Sequence, residues 1–252
     1  MNSSISLRLI TPVFAAMTVS VSSVPALAQP PAAPAAQPAE AAASPAPQER
    51  VAAIKKSFAE SQAKLRKYEW IETTIVSLKG EEKSRKQNRC YYGADGKVQK
   101  VPLAAPAEEK PERGLRGRIK EKKKEELADY MEEAAALVHK YLPPDQEKIQ
   151  KCNEAGKTSI QILEPGKRAK VQFRDYLQPG DSLSVDIDPA NNRVLGVGVA
   201  SALGKDKDPV TLAVKFDTFP DGTIYTSETT LEAKAKNVKV TVQNTGYREA
   251  TP

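Results

Sequence analysis

A chain with one histidine and two cysteines has few ways to build a reaction centre. His139 is the only histidine, so no metal site or triad that needs two can form. It falls beside the apolar stripe of a predicted helix, where a lone histidine is a boundary residue rather than a ligand. Cys90 and Cys152 lack the close spacing of a metal site. In an oxidising compartment they are expected to pair with each other; the alternative is two buried free thiols. A bridge would close a loop of about 60 residues, worth about 4 kcal/mol in the chain-entropy model. No glycine-rich phosphate loop and no Gly-x-Ser-x-Gly elbow occurs. Asp186 and Asp188 fall on the wet face of a predicted strand, and among 32 acids their closeness is chance. Gly196 and Gly198 flank Val197 and mark a bend, a bulge or the close approach of another backbone. Trp70, the single tryptophan, is a core residue or the lip of a pocket. The sequence therefore predicts no catalytic residue, no metal ligand and no cofactor.

The elements that position these residues are read from periodicity. From Thr158 to Tyr247 the chain alternates apolar and polar residues in short runs. Ala169, Val171 and Phe173 form one such run, and Leu183, Val185 and Ile187 the next. Leu195, Val197 and Val199, then Leu212, Val214 and Phe216, then Val238, Val240 and Val242 complete the set. Side chains of a strand point alternately to opposite faces, so each run has one dry face. Turn residues at 164–167, 179–180, 189–192 and 220–222 predict antiparallel neighbours. Upstream, 49–67 predicts a helix, and 68–78, 83–92 and 97–103 predict three strands. A long helix follows over about 113–142, with Leu127, Tyr130, Met131, Ala134, Leu137, Val138 and Tyr141 on one stripe. Its basic start is expected to be a solvated face with its own ion pairs. Pro143-Pro144 stops it, and Asp145 caps a short helix that delivers Cys152. The fold class is α+β, with about seven strands after the long helix.

Composition sets the compartment. Residues 1–28 have the basic, apolar and small-residue regions of a secretory signal peptide, ending in Ala26-Leu27-Ala28. Residues 29–48, almost all Pro, Ala and Gln, predict a linker without a core. Removing Arg8 with the signal lowers the net charge from +6 to +5, too mild to imply a nucleic-acid partner. The chain is expected in the periplasm, with secretion as the second choice, and without stable membrane insertion.

The order of elements over about 49–248 resembles the LolA/LolB-like superfamily of periplasmic lipoprotein carriers and their RseB-type regulatory relatives. The resemblance rests on the exported N-terminus, the amphipathic helix, the meander opening at Tyr68-Glu69-Trp70-Ile71-Glu72-Thr73, a mid-chain helix, and the terminal strands around Phe219-Pro220-Asp221-Gly222. It implies one domain over 49–248, a strongly curved, open antiparallel β-half-barrel with helices covering its concave face. The charged insertion near 104–142 departs from the carrier pattern. The implied function is a binding protein, not an enzyme, that holds a lipid or lipoprotein acyl chain in an apolar sheet–helix cavity. Its lining would come from Trp70, Leu137, Val138, Tyr141, Val171, Phe173, Val185, Ile187, Val197, Val214 and Phe216. A cavity above ~300 Å³ would favour that reading. The rival is a protein-interaction or envelope-stress module with an envelope protein partner and no small ligand.

Overall fold

The computed structural model describes residues 47–103, 115–204 and 208–250. The predicted signal peptide, nearly all of the linker and the first part of the insertion lie outside the described residues.

Helix α1 (Pro47–Leu65) leads into β1 (Tyr68–Leu78), β2 (Glu81–Tyr92) and β3 (Val98–Pro102). Helices α2 (Leu115–His139) and α3 (Gln146–Glu154) follow. Then come β4 (Thr158–Glu164), β5 (Arg168–Arg174), β6 (Ser182–Asp188), β7 (Arg193–Leu203), β8 (Asp208–Thr218), β9 (Ile224–Ala233) and β10 (Val238–Glu249). The ten strands form one sheet in the order β3-β2-β1-β10-β9-β8-β7-β6-β5-β4. The described ladders are all antiparallel. The fold is thus α+β with an open sheet.

The turns explain the register. Between β1 and β2 only Lys79 and Gly80 intervene, both at positive φ (54° and 84°), as a tight hairpin turn requires. At the start of α3, the Asp145 carboxylate accepts from the backbone N–H of Glu147 at 2.8 Å and of Lys148 at 3.3 Å. It satisfies donors that the helix itself cannot. Gly196 proves to be a place of close backbone approach. A Cβ there would lie 2.7 Å from the Val214 carbonyl oxygen on β8.

The topology gives the long insertion a task. The chain leaves β3 at one edge of the sheet and must enter β4 at the other. Nine strand spacings of about 4.8 Å make about 43 Å. The 25-residue α2, about 37 Å long at 1.5 Å per residue, lies on that connection and packs on β7, β8 and β9. On the way its apolar stripe packs on the sheet: Met131, Ala134, Ala135, Val138 and Tyr141 join Val197, Val199, Val210, Leu212, Val214 and Leu231 in one buried cluster. Its opposite side is solvated, with Lys122 near Glu126 at 4.0 Å.

Two expectations are corrected. The Cys90–Cys152 disulfide does not form, and both residues are buried free thiols. Cys90 sits on β2, while Cys152 sits on α3 with its thiol 3.7 Å from the Arg174 carbonyl oxygen of β5. Sequence order places both near the helical connection, but strand order puts six strands between β2 and β5. Asp188 is not on a wet face but buried. Its carboxylate accepts from the backbone of Ala190 and Asn191, and from the side chains of Asn191 and Arg193. It folds back to close the β6–β7 turn instead of facing solvent.

Candidate functional site

Helices α1 and α2 touch the sheet in different ways, and the space between α1 and the sheet is the candidate site. The C-terminal half of α1 is fastened to β8, β9 and the turn between them. Phe58 meets Phe216 edge to face at 5.2 Å. The Ser61 hydroxyl accepts from the Ile224 backbone N–H at 2.9 Å and donates to the Ser57 carbonyl at 2.7 Å. Lys64 lies 3.5 Å from Asp221. Leu65 is buried beneath the end of the helix.

Below α1, the strands bring aromatic residues together. Trp70 of β1 stacks on Tyr247 of β10 with centroids 5.5 Å apart and packs against Tyr92 of β2 at 5.6 Å. Tyr225 lies 4.6 Å from Tyr247 and 4.4 Å from Phe219, which also meets Tyr68. Trp70, Tyr92, Tyr225 and Tyr247 border a cleft of about 100 Å³. The α1 side contributes Phe58, Gln62 and Leu65; the sheet floor contributes Val197, Val214, Phe216, Ile224 and Val242. Trp70, Tyr92, Tyr247 and Asn244 form one end, and His139, the last residue of α2, and Leu142 just beyond it reach another part of the wall. The space falls short of the ~300 Å³ of a preformed small-molecule site.

One ion pair stands in this apolar setting. Glu72 of β1 is buried, and both of its carboxylate oxygens accept from Lys100 Nζ of β3 at 2.7 Å. Period-2 geometry explains how they meet. Trp70 pairs with Cys90 on β2 and Cys90 with Lys100 on β3, so the three share a face with Glu72. Trp70 directs its indole N–H to Asn244 Oδ1 at 3.1 Å, which satisfies its polar edge. Burial pushes the Cys90 thiol up to about 12, with the negative charge of Glu72 adding to the effect. Burial also raises the Tyr92 and Tyr247 phenols. These groups stay protonated at neutral pH, so the thiol is no nucleophile. Among the described residues, no group of three or more His, Cys, Asp or Glu is placed to hold a metal ion. No described helix is long and apolar enough to cross a membrane.

The expected lining residues fall into two sets, with Ile187 in neither. Trp70, Val197, Val214 and Phe216 border the cleft. Val138, Tyr141 and Phe173 are buried in the core under α2, and Leu137, Val171 and Val185 pack half-buried against it. Ile187 is half-buried between Ala169 and Val194 in the ladder. Tyr141 has a structural task. Its hydroxyl donates to Asp181 Oδ2 at 2.5 Å and lies 2.7 Å from the Ser201 hydroxyl. Asp181 also accepts from the backbone N–H groups of Tyr176, Leu177 and Gln178, so it ties the β5–β6 turn to the end of α2. Sequence reasoning missed Glu72, Lys100, Tyr92, Tyr247 and Asn244, and it set His139 aside. The available signal was parity: Glu72 falls on the same face as Trp70, so a carboxylate shares a face with the only tryptophan.

No family model matches this chain, and no curated protein does. Among solved structures, the chain is similar to a LolA superfamily protein from Nitrosomonas europaea. That match has 8% identity and a TM-score of 0.33, and covers 79% of this chain and 94% of that one. It is also similar to a domain from Vibrio parahaemolyticus described as an outer membrane lipoprotein-sorting protein. There the identity is 11% and the TM-score 0.34, with 81% and 90% covered. A third match is a DUF1329 family protein from Desulfovibrio piger, at 6% identity and a TM-score of 0.31, with 79% and 93% covered.

Proposed function

We propose that this chain is an exported periplasmic binding protein that takes a lipid acyl chain, free or on a lipoprotein, into the cleft between α1 and the sheet. The signal peptide at 1–28, the linker at 29–48 and a single domain at 49–248 belong to this reading. So does a half-barrel curvature of the sheet, with α1 and α2 over its concave face. The observation that carries it is the aromatic and aliphatic cleft itself, walled by Phe58, Leu65, Trp70, Val214, Phe216 and Tyr247. Apolar surface left accessible beside a core favours apolar ligands. At about 100 Å³, below the ~300 Å³ that would favour a preformed site, the cleft takes only part of an acyl chain under α1. A rigid drug-sized molecule would be excluded. The activity is binding rather than catalysis, and lipoprotein or lipid transport is the process it fits.

The test is titration of delipidated protein with a fluorescent fatty acid, paired with mass spectrometry of lipid extracted from protein purified from its host. Saturable binding that weakens about tenfold in Phe216→Ala, which removes the ring shared by α1 and the floor, is expected. No copurified lipid and no saturable binding would overturn the reading.

A second reading is favoured by a different observation. Ile160 and Ile162 are each 70% exposed on β4, one of the two edge strands among the described residues, and Leu163 is 41% exposed. Exposed apolar residues on an unpaired edge strand invite another protein. An envelope-protein interaction module would use this edge and leave the cleft empty. Capture of one envelope protein that is lost in Ile160→Lys/Ile162→Lys, without fatty-acid binding, selects this reading instead.

A further inference from the structure

We infer that the Glu72 end of the cleft is a receptor for an organic ammonium group, and that Lys100 is its built-in occupant. This rests on the cleft reading and adds the chemistry of the head group to it.

The two members of the ion pair are not equivalent. The Glu72 side chain is 9% exposed and sits on β1 inside the sheet, while that of Lys100 is 36% exposed and sits on the five-residue edge strand β3. A lysine at an edge can swing its ammonium into water on a flexible stem. A buried carboxylate has no such exit, and without a cation it is an uncompensated charge. Position therefore makes the cation exchangeable and the anion fixed. The walls have the same preference. Trp70, Tyr92 and Tyr247 bound this end of the cleft. The faces of such rings carry negative quadrupole density, which attracts cations and repels anions. An anionic head would have to displace Glu72 from Lys100 against both effects.

Beyond the pair the lining becomes apolar through Val214, Phe216 and Phe58. The matching ligand is an amphiphile with an ammonium head and an alkyl tail. A space of about 100 Å³ is smaller than the ~150 Å³ cavity that accepts benzene, and so suits a compact head alone. The same ammonium chemistry is carried by a phospholipid head group and by a free alkylamine.

The experiment is calorimetric titration of the purified protein with amphiphiles of one tail length, each below its micelle concentration. Dodecyltrimethylammonium, dodecanoate and dodecyl maltoside vary the head, and lysophosphatidylcholine presents the ammonium as part of a lipid. The expected result is ammonium binding at least about tenfold tighter than dodecanoate. Glu72→Gln should abolish that preference, and Lys100→Met should tighten ammonium binding by removing the competitor. If Lys100→Met does not fold, the head-group series on the parent and on Glu72→Gln still decides the matter. Tighter binding of lysophosphatidylcholine than of the simple ammonium assigns the head to a lipid, and the reverse order assigns it to a free amine. Dodecanoate or maltoside binding as tightly as the ammonium, or a preference that survives Glu72→Gln, overturns the inference and leaves the acyl cleft standing. If no amphiphile binds the parent protein, the cleft reading falls and this inference falls with it.

Discussion

Helices α1 and α2 pack on the sheet, and the regions beneath them are built from different materials. Under α2 the cluster is mainly aliphatic: Met131, Ala134 and Val138 share it with Val197, Val199, Val210, Leu212 and Leu231, and Phe173 and the stacked pair Tyr141 and Tyr176 belong to it too. Branched and straight aliphatic chains interdigitate to near-crystalline density. The end of that helix is then fixed by a buried polar latch, Tyr141 with Asp181 and Ser201. Near α1 the contacts are between rings, a buried ion pair stands among them, and a cleft remains. On the proposed reading, stability and binding fall mainly to different parts of one sheet. Val197 and Val214 belong to both, since they sit in the α2 core and also border the cleft.

The comparison predicts its largest effect under α2. Val138 is 1% exposed within the aliphatic cluster. Val138→Asp would bury a carboxylate with no partner and destabilise the fold by about 3–5 kcal/mol. A thermal melt should show the transition lowered steeply or lost. A variant that keeps the parent melting temperature would mean that α2 is a movable lid, and the division between the halves would be wrong.

The latch is expected to matter less. Tyr141→Phe keeps the ring but leaves Asp181 and Ser201 each short of one partner in a buried setting. The cost of such a deletion is about 1–3 kcal/mol. Burial and the hydrogen bond to Asp181 both raise the Tyr141 phenol above its ordinary range, so its proton is held well beyond neutral pH. Denaturant unfolding of the variant at neutral pH measures the loss. Fatty-acid binding should be unchanged, because Tyr141 does not border the cleft; weakened binding would show that the two halves are coupled.

How much of this was legible in the sequence differs between the halves for a physical reason. The α2 side is written in periodicity: the heptad-like spacing of Leu127, Met131, Ala134, Val138 and Tyr141, and the alternation of Leu212 with Val214, both survive in the structure. Local period reports which face of an element is dry, and the turns at Lys79-Gly80 and Pro220-Asp221-Gly222 report where it reverses. The cleft depends on pairings that local period does not encode. β1 and β10 lie far apart in sequence yet pair directly, which is what brings Trp70 to Tyr247 and Asn244. Glu72 reaches Lys100 only across β2. Tyr141 was read as apolar lining because its place in the stripe is apolar; its hydroxyl finds Asp181 through the β5–β6 turn, a contact no spacing announces.

Acid separates a smaller contribution, from the turn beyond the core. Hydrogen bonds from the Asn191 side chain and backbone, and from Arg193, hold the Asp188 carboxyl below its ordinary value. Its folded value is lower than its unfolded value, near 3.9, so folding favours the ionised form. That stabilisation is fully present above about pH 4 and is lost as pH falls through the depressed folded value. Asp188→Asn should therefore be less stable than the parent at pH 7, with the gap narrowing towards pH 2 in a series of urea melts. A gap constant across that range would mean that the turn is held by shape rather than charge.

The smallest expected effect is none at all, and it concerns the two cysteines that sit in opposite halves. Cys90 lies beside Glu72 and Lys100 at the cleft end of the sheet, and Cys152 lies on α3 against β5. A bridge needs Cα atoms within about 7 Å. With six strands between β2 and β5, the native chain has no route to that distance. A disulfide closing so long a loop would contribute about 4 kcal/mol, so a reductant would lower the melting temperature of a bridged protein by many degrees. Here a reductant should leave it unchanged. Two thiols should react with a maleimide after unfolding and almost none before, because both side chains are buried and their thiols are held protonated. A melting temperature that falls on reduction would join the two halves covalently and undo the separation of a stabilising side from a binding side.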